Sequence, residues 1–333
     1  MGFRALVTRK GADGGIESVV EDVGDGQLPE GNVLVGIDWA GFNYKDALCL
    51  TGKSGLVRTY PHVGGIDFAG RVIESQDERY HPGQGVILTG WRVGETRWGG
   101  FAARARVMAD WLVPLPKKLS TRDAMALGTA GLTAMLAINR LKSDGLTAGR
   151  GEVLVTGAGG GVGSIAVLLL AMLGYKVVAV SGRPELAEHL QRLGAVEIVG
   201  RDAVITRSGK GLDHEEWAGA IDTVGGEMLA ELLKKMQRDG GVAAVGNAGG
   251  IAFEGSVLPF ILRGVTLFGI DSVVQPFEAR QAAWERLADL FVPTAYAGWV
   301  EEVELDAVPA IAQRILKGQV RGRVIVNPRD AAT

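Results

Sequence analysis

Gly157, Gly160 and Gly163 fall at three-residue intervals in VLVTGAGGGVGSIAVLLLAMLG, Val153 to Gly174, between a β-branched run and a long apolar one. A glycine-rich turn from strand into helix has a definite chemical use. It lets the backbone approach a pyrophosphate and meets the phosphate with free N–H groups at the helix N-terminus. The triplet alone is a weak signal, because a turn that holds nothing looks the same. Its place between strand and helix, inside an alternation of both, makes it specific.

The residues that follow narrow the cofactor. NAD-binding turns are answered about 20 residues later by an acid on the ribose 2′-hydroxyl. Here KVVAV (Lys176 to Val180) runs into Ser181, Gly182 and Arg183, with no carboxylate. A carboxylate repels a 2′-phosphate, whereas a hydroxyl and a guanidinium bond it. Arg201, after the third strand, adds a second cation. The expected cofactor is NADPH; the other reading of Arg183 is a charge opening a solvated helix face.

The elements that position these residues change character along the chain. Up to about residue 120 the sequence reads as short strands with turns: VLVGIDWAGF (Val33 to Phe42), AGRVIES (Ala69 to Ser75) and GQGVILTG (Gly83 to Gly90). STRDAMALGTAGLTAMLAINRL, Ser120 to Leu141, is a helix with a Ser or Thr cap and an acid in its first turn. Strands and helices then alternate: VLVT, SIAVLLLAML, KVVAV, PELAEHLQRLG, EIVG, AGAIDTV, GEMLAELLKKMQ with Gly240 behind it, VAAVG and VTLFGID. That alternation predicts an α/β fold with a doubly wound parallel sheet. After Asp271 come a helix, PFEARQAAWERLADLF, then GWVEEVEL, AVPAIAQRILKG and a strand, GRVIVNP. This tail is expected to return to the N-terminal domain, because its last strand has no helix partner left.

Bulk properties bound the function. A chain of 333 residues is long enough for about two domains of ~150 residues. The net charge of −3, without a block of like charges, gives no pull toward nucleic acid or an anionic membrane. Cys49 is the only cysteine, so neither an intramolecular disulfide nor a multi-cysteine zinc knot is expected. MGFRALVTRKG lacks the apolar core of a signal peptide, and Leu6 stands where a myristoylation signal wants Ser or Thr. The apolar run Ile165 to Val180, broken by Gly174, Tyr175 and Lys176, is short for a spanning helix. The expectation is a soluble, cytoplasmic protein.

GGIDFAGRV (Gly64 to Val72), GGFAARARV (Gly99 to Val107), GTAGLTAML (Gly128 to Leu136) and the glycine turn occur in an order that resembles the medium-chain dehydrogenase/reductase superfamily. The resemblance implies a GroES-like β-rich catalytic domain, residues 1–121 and 272–333, around a Rossmann NADPH-binding domain, residues 122–271. Where the zinc members of the superfamily carry Cys and His, this chain has Asn43 and Ile66. Zinc needs thiolate, imidazole or carboxylate at fixed points, so no metal is expected. The chemistry left is hydride transfer to an activated C=C bond or a quinone, with the substrate's own carbonyl storing the charge.

FNYKDALCLTGKSGLVRTYPHVGGIDFAG, VAVSGRPE, LPFILRGVTLFGIDSV and QVRGRVIVNP look closest to the acryloyl-CoA reductase branch, whose members are quinone oxidoreductase-like. The reaction this implies is acryloyl-CoA plus NADPH to propionyl-CoA, by hydride transfer to the β-carbon. Tyr44 and Asn43 are the candidate catalytic residues, Tyr44 facing nicotinamide and substrate and Asn43 bonding substrate or holding its loop. Lys45 and Asp46 would pair locally and Asp67 would cap a turn. By resemblance the cofactor contacts are Tyr44, Gly159, Gly160, Gly161, Val162, Ser181, Gly182, Arg183, Arg201, Asn247, Ile261, Ser272 and Arg323. Lys53, Arg58, Arg92 and Arg97 are candidates for the CoA phosphates, and Trp91 and Trp98 for pocket walls. His62, His81, His189 and His214 form no metal-spaced pair. Two alternatives stand beside this reading: a broad NADPH quinone or enone oxidoreductase using the same residues, and a noncatalytic NADPH-binding protein. A homodimer is expected, through VTLFGIDSV as an edge strand extending the sheet between subunits.

Overall fold

The computed structural model describes residues 2–12, 14–53 and 55–329. The chain forms two units. The first comprises Met1–Thr129, Ser272–Asp289 and Ala297–Thr333, the second Ala130–Asp271 and Leu290–Tyr296.

The first unit begins with β1 (Gly2–Lys10), β2 (Ile16–Gly24), β3 (Val33–Phe42), α1 (Tyr44–Leu50), β4 (His62–Val63), β5 (Asp67–Ser75), β6 (Gly85–Thr89), β7 (Arg104–Val107) and β8 (Leu112–Pro114). Its apolar side chains build one core in which Val35, Ile37, Phe68 and Leu88 are fully buried and Phe42 stacks on Phe101 with ring centroids 5.8 Å apart.

The next helix, α2 (Thr121–Ser143), starts as its sequence predicts, with the Ser120 hydroxyl accepting the Asp123 N–H at 3.0 Å. It is long and apolar enough to cross a membrane, yet 78% of its most apolar window is buried inside the protein. Gly128 breaks it, at φ 53° and ψ −152°. A Cβ there would lie 2.7 Å from both Asp67 Oδ2 and Arg323 Nη2, so only glycine fits. The break frees the Thr129 N–H, which donates to Asp67 Oδ2 at 2.6 Å.

The second unit continues with β9 (Glu152–Val155), α3 (Gly161–Met172), β10 (Lys176–Val180), α4 (Ala187–Arg192), β11 (Ala195–Val199), β12 (Trp217–Asp222), α5 (Gly226–Lys234), β13 (Met236–Ala244), α6 (Leu258–Arg263) and β14 (Thr266–Gly269). The sheet order is β11-β10-β9-β12-β13-β14, every pair parallel. This is the doubly wound sheet the alternation predicts, with its order reversing between β9 and β12. Ligands bind such sheets beyond the carboxyl ends at the reversal. Helix α3 is apolar on nearly every side, as an interior helix must be, and Gly163 to Leu170 are buried.

Two boundaries differ from the sequence expectation. The helix expected over GEMLAELLKKMQ stops at Lys234, because Met236 is fully buried and pairs with Trp217 as the first residue of β13. Pro184–Leu186 forms a 3₁₀ turn and only Ala187–Arg192 is α-helical.

The tail supplies α7 (Phe277–Leu290), β15 (Val300–Glu304), α8 (Val308–Leu316) and β16 (Arg323–Asn327). Its strands join the first unit, but Leu290–Tyr296 belongs to the second, so the tail does not fall wholly in one unit as the bounds 272–333 had it. β16 pairs antiparallel with β3 and parallel with β15, completing the order β15-β16-β3-β5-β6-β8, with β7 also on β3.

Candidate active site

In the second unit the backbone leaves β9 through Gly157, at φ +57°, and enters α3 from Gly160, which is extended. A Cβ on Gly163 would run into the Gly157 carbonyl, and one on Gly159 into Leu186 and the Arg183 guanidinium. These are close-approach positions that a phosphate-binding turn requires. Gly161 and Val162 form the first turn of α3, where N–H groups lack helical partners. The floor is set by Thr156, whose hydroxyl donates to the buried Asp222 at 2.6 Å, while Thr223 Oγ1 donates to the Thr156 carbonyl at 2.9 Å.

Arg183 reaches back over this turn, its Nη2 donating to the Gly159 carbonyl at 3.0 Å, and its own N–H bonds Ser181 Oγ at 3.1 Å. A Cβ on Gly182 would lie 3.1 Å from Arg201 Nε, so the glycine lets the second guanidinium close in. Burial pushes the Arg183 guanidinium below its ordinary value; Glu185 opposes the shift and the Arg201 charge adds to it. Two guanidiniums that repel each other, beside a hydroxyl and a glycine turn, fit the 2′-phosphate of NADPH. Asn247 is exposed after β13, where Gly225 and Gly250 bridge the loops behind β12 and β13. Ile261 projects from α6, 68% exposed; Ser272, half-buried, is where the chain re-enters the first unit after β14.

In the first unit a second polar group forms where β3 meets α1. Asn43 is extended and precedes the first turn of α1. Its N–H donates to Asp46 Oδ2 at 2.8 Å, and its side-chain amide donates to Asp67 Oδ1 at 3.0 Å. The Ile66 N–H donates to Asp46 Oδ1 at 2.8 Å. Arg323, 3% exposed, donates to Asn43 Oδ1 at 3.0 Å and to the carbonyls of Phe42, Ala126 and Met125. Arg323, expected among the cofactor contacts, thus has its guanidinium spent on this buried knot; meeting a phosphate would mean giving up those acceptors. Asp67 caps the break in α2 and also anchors Asn43.

Lys45 and Asp46 do not pair. Lys45 bonds Glu95 at 2.9 Å, while Asp46, in the first turn of α1, is fully buried. Burial pushes the Asp46 carboxyl up to about 7, helped by the Asp67 charge and opposed by the bonds from Asn43 and Ile66. Above the knot Tyr44, in the first turn of α1, is 43% exposed, and its hydroxyl bonds no residue among those described.

Zinc does not fit here. Asn43 and Ile66 offer an amide and a hydrocarbon, and both Asp67 oxygens are already engaged. Among the described residues no three of His, Cys, Asp and Glu gather as a ligand set. The sequence reading missed the knot because Asp46 and Arg323 gain their roles only from residues remote in the chain.

Residues 29–117 match the family model for an alcohol dehydrogenase GroES-like domain, and 161–291 that for a zinc-binding dehydrogenase. The chain is similar to the acrylyl-CoA reductase AcuI of Ruegeria pomeroyi, 52% identical over 98% of this chain and 99% of that one. It is similar to the YhdH oxidoreductase of Salmonella enterica, solved in complex with NADP: TM-score 0.94, 49% identity, 97% of this chain and 99% of that one. It is also similar to Escherichia coli YhdH, solved with bound NADPH: TM-score 0.94, 47% identity, 98% of this chain and 100% of that one.

Proposed function

The chain belongs to the medium-chain dehydrogenase/reductase superfamily, and from that membership we propose that it reduces the C=C bond of acryloyl-CoA to propionyl-CoA with NADPH, without zinc. The observation that carries the reading is the 52% identity, over nearly the whole of both chains, with an acrylyl-CoA reductase. The guanidinium pair Arg183 and Arg201 supports the choice of NADPH, as do the two relatives solved with NADP or NADPH.

When bound, the reduced nicotinamide supplies the hydride. The chain's residues do the rest. Backbone N–H groups of Gly159, Gly160, Gly161 and Val162 hold the pyrophosphate, and Ser181, Gly182, Arg183 and Arg201 the 2′-phosphate. Asn247, Ile261 and Ser272 complete the cofactor contacts. Hydride arriving at the β-carbon leaves negative charge on the thioester oxygen, which calls for a hydrogen-bond donor there and a proton at the α-carbon. Tyr44 is the donor we assign to that work, because the residue is 43% exposed and its hydroxyl bonds no residue among those described. Asn43, with both ends of its amide engaged, holds α1 and hence Tyr44 in place.

The reading extends to a cytoplasmic enzyme whose apolar helix α2 is spent on the protein interior, and to a homodimer through β14, an edge strand of its sheet. The test is loss of NADPH absorbance with acryloyl-CoA, crotonyl-CoA and benzoquinone in parallel, with NADH as control. Preference for acryloyl-CoA and NADPH is expected. Quinone turnover without acyl-CoA turnover would overturn the substrate, and tight NADPH binding with no turnover at all would overturn the enzyme.

A further inference from the structure

The first unit holds a cavity of about 570 Å³ among the segments that precede β3, β4, β7 and β8. That volume lies within the ~300–1,000 Å³ of small-molecule sites. Its lining includes Arg58, Arg97, Arg106, Trp98, Trp111 and His62. We propose that this cavity takes the adenosine 3′-phosphate end of an acyl-CoA, an inference that rests on the acyl-CoA reading above.

Charge is the first argument. None of the three arginines pairs with a carboxylate among the described residues. Of the two carboxylates in the lining, Glu95 is answered by Lys45, which leaves Glu30 against three guanidiniums. Uncompensated guanidiniums around a concave surface fit phosphate oxygens, which they bond two at a time.

Shape is the second. The Arg97 guanidinium lies over the Trp111 ring, 4.5 Å from its centroid. Trp98 is anchored by its Nε1, which donates to the Pro61 carbonyl at 3.3 Å. Purine rings stack on such indole and guanidinium planes. His62 is 4% exposed and its Nε2 has no partner, while burial holds the imidazole below its ordinary value and thus neutral. A neutral imidazole nitrogen suits the donor and acceptor edge of a purine.

Continuity is the third. Glu95 is part of the cavity wall and bonds Lys45, the neighbour of Tyr44 on α1. One ion pair therefore joins the wall of the nucleotide pocket to the helix that carries the group assigned to the thioester. Arg106 was not among the sequence candidates; Lys53 and Arg92 were, and neither lines this cavity.

The experiment compares kcat/KM for acryloyl-CoA with that for acryloyl-pantetheine, which lacks the nucleotide, in wild type, Arg97→Ala and Arg106→Ala. The ratio should fall about tenfold in each variant, as loss of a charged hydrogen bond implies. An unchanged ratio, with acryloyl-CoA still turned over by wild type, overturns the pocket and leaves the reaction standing. Calorimetric titration of adenosine 3′,5′-bisphosphate into the NADP⁺-saturated enzyme reads the pocket independently of turnover. Binding that Arg97→Ala weakens supports the proposal even if acryloyl-CoA proves not to be the substrate. Absence of binding, or equal binding of the 2′,5′ isomer (the mark of a dinucleotide site), overturns it.

Discussion

The Arg183 guanidinium donates to the carbonyl oxygen of Gly159 at 3.0 Å, so the residue that follows the second strand of the sheet closes over the turn that follows the first. A single side chain thereby shapes the turn we propose for the pyrophosphate and stands at the site we propose for the 2′-phosphate. Arg183→Ala is expected to lower the ratio of kcat/KM for NADPH over NADH by at least about tenfold, the loss of one charge-assisted bond. Steady-state kinetics with both cofactors decides it, and a preserved ratio would remove Arg183 from the 2′-phosphate site.

Tyr44→Phe removes only the hydroxyl. If that hydroxyl serves the thioester oxygen or the α-carbon, kcat for acryloyl-CoA should drop by about a hundredfold, at the low end for a positioned acid. The affinity for NADPH, read by fluorescence titration, should change little. An unaltered kcat would reduce Tyr44 to a packing role.

Gly128→Ala places a Cβ against Asp67 and Arg323 at a backbone conformation that L residues avoid. A loss of at least about 2 kcal/mol in unfolding free energy is expected. Urea denaturation measures it, and a neutral substitution would mean that α2 continues through position 128 unbroken.

The Asp46 carboxyl, held at about 7 in the folded protein against 3.8 for the free side chain, makes stability depend on pH. A value raised by folding means that the native state holds the proton more tightly. This contribution is therefore complete below about pH 4 and drains away as pH rises through about 7. Asp46→Asn, an analogue of the protonated acid, should flatten that part of the profile in urea midpoints taken from pH 4 to about 8. A variant as steep as wild type would assign the slope to other groups.

β14 ends its sheet as an edge strand, and Ile261 and Leu262 on α6, the helix that precedes it, are exposed apolar residues. Light scattering at micromolar concentration should return the mass of two chains, and Leu262→Glu should return one. A single-chain mass for wild type would end the dimer reading.

The shape of the glycine turn was legible because it is local: a strand, three glycines and a helix lie within one short stretch, and their order marks the close approaches at Gly159 and Gly163. The placement of Ser181 and Arg183 was legible for the same reason, as residues just past the end of the next strand. The boundary between α5 and β13 was not, since LLKKMQ carries a helical periodicity that pairing of Met236 with Trp217 overrides. Nor was the knot around Asn43. Asp46 looks like half of a surface pair until the Ile66 N–H is set against it. Arg323 reads as a strand-end charge until β16 docks on β3 and turns it inward.

That docking has a consequence for how the protein is made. Arg323 stands 280 residues after the Asn43 it secures. At a synthesis rate of about 5–20 residues per second, the later residue leaves the ribosome tens of seconds after the earlier one. Throughout that interval β3 lacks β16 as a neighbour, and the carboxylates beneath Tyr44 lack the cation that fixes Asn43 beside them. The first unit is thus completed last, by its own C-terminal strand, and a message cut short before that strand yields a chain whose glycine turn can form while the knot beneath Tyr44 cannot.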